Sequence, residues 1–362
     1  MADPKKTSGR LAFIDWTRGL AAVVMLQGHT FDSFTRTDLR TQSTFTFSQF
    51  LGGMPPAIFL FLTGITFAFL MDSQDRQVPS TWKRIVAALK RSRYLFLIAF
   101  LFRIQLYIFG FPTSPASELL RVDILNCMGM AMLLLAPMAA FNTRERIRLC
   151  AILGVVIAGL APLVSMIDSS HMPGIVRSYF FPSYSSFGFF PWASFLAFGM
   201  AAGSVLRAVK ADEMPRVMLW VLAIGTGLAL GAHQMSNMSY SLYAKSDFWL
   251  NSPLLIFIKL GVVLMLLAFA FLWVNVGVPQ KWSLFRQLGT TSLLVYWVHI
   301  ELVYGRWFGI WKQALSVSQV IIYTVILLAL MTALSVGRTH WKSIRAFLRP
   351  APLPVPGRAS GD

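Results

Sequence analysis

Residues 11–34 read LAFIDWTRGLAAVVMLQGHTFDSF, an apolar stretch of membrane-spanning length that carries ionisable side chains. These side chains are Asp15, Arg18, His29 and Asp32. At 100° per residue, all of them fall on one helical stripe about 100° wide. Ionisable groups in hydrocarbon cost roughly 2.5–3.5 kcal/mol each, so they usually face a protein interior or a wet cavity. The stripe indicates a helix that lines a functional path; the other interpretation is a device for helix packing.

The composition is that of a membrane protein. Of 362 residues, 56% are hydrophobic and only 13% are charged, whereas soluble domains contain about 25% charged residues. Apolar runs of membrane-spanning length recur, so we predict an all-α, polytopic transmembrane helix bundle with about ten spans. The predicted spans are roughly 12–32, 50–71, 94–111, 119–140, 147–167, 190–207, 217–235, 253–275, 286–304 and 317–337.

The distribution of positive charge predicts the orientation. In a soluble protein, a net charge of +17 would suggest a nucleic acid partner. Here 22 of the 32 Lys and Arg residues fall in the termini and in the loops on the same side, and seven fall on the other side. The positive-inside rule then predicts cytoplasmic termini and no nucleic acid partner. We expect an N-terminal tail (1–10), a transmembrane domain (11–337) and a basic, disordered cytoplasmic tail (338–362).

With this orientation, polar groups from five spans lie in the outer half of the membrane. They are His29 and Asp32 in the first span, Arg103 in the third, Arg121 and Asp123 in the fourth, Lys259 in the eighth, and Tyr296, His299 and Glu301 in the ninth. We therefore expect one polar cavity with two histidines at its mouth. A membrane-embedded transferase, a proton-coupled transporter and a channel all use such a cavity.

The second span begins with an interrupted segment. Residues 52–56 read GGMPP, and two prolines end or kink a helix. The interruption is either a broken helix that lines a site or an ordinary start with Pro in the first turn. His, Cys, Asp and Glu show no spacing typical of a metal site, and no metal is expected.

The first span resembles that of bacterial membrane acyltransferases related to heparan-α-glucosaminide N-acetyltransferase. Those proteins share an Arg, an Ile-Asp, an Arg-Gly pair and then a His near the outer end, as in RLAFIDWTRGLAAVVMLQGHTFDSF. Arg18 and His29 also match the Arg-x10-His motif of the wider family-3 membrane acyltransferases. Later blocks are similar and occur in the same order: PPAIFLFLTGITFAF, VDILNCMGMAMLLL, FFPWASFLAFGMAAG, NSPLLIFIKLG and LGTTSLLVYWVHIELVYG.

The resemblance implies a reaction. An acyl group, usually acetyl, passes from cytoplasmic acyl-CoA to a hydroxyl or amine of an extracytoplasmic glycan or glycolipid. It implies a membrane-embedded acyltransferase in contact with lipid and is compatible with a homodimer. The predicted N-in helical bundle favours the bacterial plasma (inner) membrane. His29 would be the catalytic histidine and Arg18 would serve the donor. In the lysosomal enzyme the active histidine lies after the first span, where this chain reads TRTDLRTQSTFTFSQF and has no His.

An imidazole can act as base or nucleophile near neutral pH, so we expect His29 to be the general base and Asp32 to orient it. His299 is the alternative base, or a second acid. Direct transfer and an acetyl-histidine intermediate both stay open, and a proton-coupled transporter is the alternative function. For the acetyl-CoA donor we select Arg18, Arg103, Lys259 and Asp15. For the acceptor we select Arg121, Asp123, Glu301 and Tyr296.

Overall fold

The structure, a computed structural model, describes residues 11–77, 80–112, 114–238, 241–277 and 282–341. Within these ranges the chain is helical and has no β-sheet, which confirms the all-α prediction. The predicted N-terminal tail (1–10) and residues 342–362 of the predicted basic tail lie outside the described residues. The α-helices are α1 (Ala12–Phe34), α2 (Ser43–Gly52), α3 (Pro55–Gln77), α4 (Thr81–Gly110), α5 (Ile124–Leu135), α6 (Thr143–Ser165), α7 (Gly174–Phe180), α8 (Phe189–Ala208), α9 (Met214–Ser236), α10 (Pro253–Leu272), α11 (Leu284–Thr290), α12 (Ser292–Tyr304) and α13 (Val317–Thr339).

Several segments are long and apolar enough to cross a membrane. There are seven of these within the described ranges: Ser43–Asp75, Ala116–Ala140, Thr143–Ser165, Phe189–Ala208, Met214–Ser236, Pro253–Asn275 and Val317–Thr339. The other predicted spans correspond to α1, α4 and the pair α11–α12. The first two carry charges within the helix, and α12 is a shorter apolar helix. Length and composition therefore identify seven candidate spans, and the predicted count of about ten is not confirmed.

Helix α1 lies at the centre of one half of the bundle. It contacts α2, α3, α10, α11, α12 and α13, whereas α8 is packed between α3 and α6, and α9 lies against α10. Large apolar side chains such as Phe13, Leu26 and Phe34 are buried along α1. The most charged of the predicted spans is thus surrounded by protein, where its polar groups can find partners.

Two of the predicted spans are interrupted. Helix α2 ends at Gly52 and α3 begins at Pro55, so the GGMPP segment is a true break with proline in the first turn of the next helix. Lys259 of α10 donates to the carbonyl of Gly53 at 3.1 Å, which satisfies a backbone acceptor left free by the break. The predicted span 286–304 divides at Thr291 into α11 and α12.

Four helices are tied together by ion pairs at the end of the bundle remote from His29. Arg146 of α6 is fully buried and donates to Asp75 of α3 at 2.7 Å. Arg84 of α4 binds the same carboxylate, and Arg207 of α8 donates to Asp72 at 3.0 Å. Arg84, Arg146 and Arg207 are among the 22 Lys and Arg residues whose distribution predicts the orientation. They also pair, because a buried guanidinium without a carboxylate partner is costly.

Close backbone contact joins α1 to α11. A Cβ atom added at Gly289 would lie 1.8 Å from the carbonyl oxygen of Asp15, and one at Gly19 would lie 1.7 Å from that of Phe285. Only glycine allows the two helices to approach so closely. This contact fixes α11 and the break at Thr291, and hence the direction in which α12 starts.

We predict that Gly289→Ala destabilises the fold. The new methyl group meets a backbone carbonyl, and overpacking of this kind costs about 1–3 kcal/mol or more. The measurement is the melting temperature in detergent. Gly227→Ala in α9 is the matched control, because no atom lies within 4 Å of its added Cβ. Equal melting temperatures of the two variants would contradict the tight α1–α11 contact.

Candidate active site

Two histidines from distant parts of the sequence form a pair at one end of the bundle. Nδ1 of His29 in α1 lies 3.0 Å from Nε2 of His299 in α12. The rings are nearly parallel, with an interplanar angle of 13°. The His299 side chain is fully buried, whereas His29 is half-buried. We had considered the two as alternative bases, and the structure brings them together.

The hydrogen bonds assign the tautomer of each neutral ring. Nδ1 of His299 lies 2.8 Å from the carbonyl oxygen of Val295. A carbonyl only accepts, so this nitrogen carries the proton and Nε2 of His299 is an acceptor. Nδ1 of His29 must then donate to it. The lone pair of the His29 ring is therefore on Nε2, which is the nitrogen available as a base.

Asp32 is placed differently from our expectation. Its carboxylate accepts a hydrogen bond from the Tyr304 hydroxyl at 3.0 Å. The Tyr304 ring lies edge-on to the His29 ring, with centroids 5.4 Å apart. The hydrogen-bond partner of His29 is His299, and Asp32 contributes a negative charge one turn away. Tyr304 was missed because nothing in its local sequence links it to residue 32.

A cavity of about 590 Å³ lies between α1, α3, α4, α5, α11 and α12, and neither His29 nor His299 is among its lining residues. Along α3 its lining extends from Phe59 to Leu70, which corresponds to about 17 Å of helix axis. The walls are mostly apolar, with hydroxyl groups from Thr63, Thr66, Thr290, Thr291 and Ser292. Tyr296 lines the cavity and also contacts His299, with ring centroids 5.8 Å apart. One aromatic ring thus separates the cavity from the histidine pair.

Two arginines supply the positive charge of the cavity wall. Arg18 lines the cavity and lies 3.6 Å from the carboxylate of Asp15. The selection of both residues for the donor stays a prediction. Arg91 of α4 is exposed, with its guanidinium 5.2 Å from the centre of the Tyr94 ring. We missed Arg91 because it belongs to a basic run that the positive-inside rule already explains.

The remaining predicted site residues contact other groups of the protein. Arg103 pairs with Asp123 at 3.2 Å, and Asp123 also caps α5. Exposed Arg121 lies 3.5 Å from Glu118. Glu301 accepts from the indole of Trp307 at 2.9 Å, and Lys259 binds the α2–α3 break. A single polar cavity that includes these groups stays a prediction. Charges buried in a membrane protein are stabilised by pairing, and neighbours across helices provided that pairing.

Within the described ranges, no three His, Cys, Asp or Glu side chains lie close enough together to hold a metal ion.

A protein-family model described as heparan-alpha-glucosaminide N-acetyltransferase, catalytic, matches residues 10–235. The matched segment covers more than half of the chain and includes Arg18, His29 and Arg91, whereas Tyr296 and His299 lie beyond it. A search of curated proteins found no significant match. The family match confirms the resemblance seen in the first span. The chain belongs to the heparan-alpha-glucosaminide N-acetyltransferase catalytic family.

Proposed function

We propose that this protein is a membrane acyltransferase that moves an acetyl group from cytoplasmic acetyl-CoA to a hydroxyl or amine of an extracytoplasmic glycan or glycolipid. The observation that carries the proposal is the cavity with Arg18 and Arg91 in its wall, which reaches the His29–His299 pair through Tyr296. Family membership supports a transferase. It favours acyl transfer over a proton-coupled transporter, which would use the same histidines.

The proposed topology has ten spans, both termini in the cytoplasm and the His29 end of the bundle outside. It is supported by the excess of Lys and Arg in alternate loops and by helices that coincide with all ten predicted spans. A bacterial plasma (inner) membrane fits this orientation. The cavity then connects a cytoplasmic donor with an acceptor on the other side.

We infer that the donor lies in the cavity. Guanidinium groups form strong, charge-assisted hydrogen bonds to phosphate, and CoA carries several phosphate oxygens. Arg18 and Arg91 are placed to bind these groups, or to polarise the thioester carbonyl. The rest of the wall is apolar with several hydroxyl groups, and it suits the extended arm of CoA, which is neither fully polar nor fully apolar.

The tautomers support His29 as the base. As the acceptor oxygen or nitrogen attacks the thioester carbonyl, Nε2 of His29 takes its proton. A carbon–oxygen or carbon–nitrogen bond forms, the carbon–sulfur bond breaks, and the sulfur of CoA leaves and receives the proton. His299 keeps the imidazolium in place through Nδ1 of His29, and Asp32 offsets its charge. The same lone pair can attack the thioester itself, so the acetyl-histidine route stays open.

We predict that His29→Ala still binds acetyl-CoA but turns it over roughly 10²–10⁴-fold more slowly, the usual contribution of a general base. Acetyl-CoA binding and hydrolysis by the purified protein in detergent give both quantities. His171→Ala, in an exposed loop, is the matched control and should behave as wild type. Wild-type turnover by His29→Ala would refute the assignment of the base.

His299 is proposed as the positioning residue, so its replacement should act on kcat. We expect His299→Ala to lower kcat roughly 10²-fold, because His29 loses the acceptor that fixes its tautomer. His299→Gln should recover part of this loss, since an amide oxygen can accept from Nδ1. The KM for acetyl-CoA should stay unchanged in both variants. Equal loss in the two variants, or a change confined to KM, would contradict the role.

Arg91→Gln should raise the KM for acetyl-CoA about tenfold, the value of one charge-assisted hydrogen bond. The effect should shrink at high salt because the arginine is exposed. The control is Arg93→Gln, which removes the same charge from an exposed site two residues away on the same helix. If both variants change KM equally, Arg91 acts only through the general positive potential.

A further inference from the structure

A second concavity lies on the surface of the bundle between α12, the 3₁₀ turn Arg306–Trp311 and α13. Its volume is about 510 Å³, and its walls are almost entirely apolar. Ile322, Ile326 and Leu330 form one edge along α13, and all three are more than half exposed. We call this concavity the α12–α13 groove. Its wall continues for about 17 Å along α13, from Gln319 to Leu330. That is roughly half the thickness of a bilayer core, so the dimensions suit a hydrocarbon tail in one leaflet.

A cation lies next to the groove. Lys312 follows Trp311, which lines the groove, and the ammonium group donates to Ser33 and to the carbonyl of Val303. The ammonium is 5.3 Å from the centre of the Phe34 ring. Phe34 in turn packs against Tyr323 of the groove wall, with centroids 4.5 Å apart. An ammonium has three donors, so two protein acceptors leave it able to bind an anion.

The same lysine also borders the histidine site. Its ammonium is 5.6 Å from the centre of the Tyr304 ring, and that ring contacts His29. Arg40 donates to the backbone carbonyl of Asp32 and adds a second positive charge at this end of the bundle. An apolar groove, a cation and the basic nitrogen therefore follow one another along a short path.

We propose that the α12–α13 groove holds the tail of a lipid-anchored acceptor, whose anionic, phosphate-bearing headgroup binds Lys312 and extends to His29. The inference rests on the proposed function and narrows its acceptor from a glycan or glycolipid to a lipid-anchored molecule. Burial of the tail contributes affinity but does not fix the position of the lipid along the groove, because apolar burial is not directional. The contact between phosphate and ammonium fixes the position of the headgroup.

The test is a binding measurement on the full chain in detergent, without acetyl-CoA. Native mass spectrometry counts retained phosphatidylglycerol, with diacylglycerol of the same tails as the uncharged probe and inorganic phosphate as a soluble competitor. Ile326→Trp fills the groove from an exposed position, and Lys312→Met removes the cation. Ile224→Trp adds the same indole to an exposed position on α9, away from the groove, and is the matched control.

We expect wild type and Ile224→Trp to retain one phosphatidylglycerol in preference to diacylglycerol by about tenfold, the value of one charge-assisted contact. Lys312→Met should lose the preference, Ile326→Trp should lose the bound lipid, and inorganic phosphate should not compete. Unchanged retention by Ile326→Trp, or equal retention of both lipids by wild type, would overturn the proposal. Competition by phosphate alone would assign the site to a soluble anion and overturn it as well. Because no acetyl-CoA is present, a failure here is distinguishable from a failure of acyl transfer itself.

Discussion

The structure depends on one constraint: every charge that α1 carries into the membrane must meet a partner inside the bundle. Asp15 pairs with Arg18, His29 pairs with His299, and the carboxylate of Asp32 accepts from Tyr304. These partners come from α1 itself and from α12. The close α1–α11 contact and the break before α12 allow that pairing, because they bring α12 alongside α1.

The sequence predicted the helices and the polar face of α1 because both follow from local periodicity. It did not predict the pairing of His29 with His299, because 270 residues separate them and spacing gives no information on contacts between distant helices. The same limit explains Arg103 and Asp123, which we expected in separate roles and which form an ion pair. Arg91 was missed for another reason. It belongs to a basic run near a helix end, and the positive-inside rule accounts for such a run without any role in binding.

The candidate site is assembled from both parts of the chain. The segment that matches the family contributes Arg18, Arg91 and His29, and so most of the proposed donor site. Residues beyond the match contribute Tyr296, His299 and Tyr304 around the basic nitrogen. In the proposed mechanism, the segment that matches the family binds the donor, and the residues after it surround and orient the basic nitrogen of His29.

The order of hydrogen bonds from His29 through His299 to Val295 has a bioenergetic consequence. The series ends at a backbone carbonyl, which can neither take up nor release a proton. A proton received by His29 can be shared with His299 but has no onward route through that series, so it returns to Nε2 of His29, from which the proposed mechanism passes it to the sulfur of CoA. The His29–His299 pair therefore does not by itself form a proton-conducting path through the bundle, in contrast to the chain of titratable groups that a proton-coupled transporter needs.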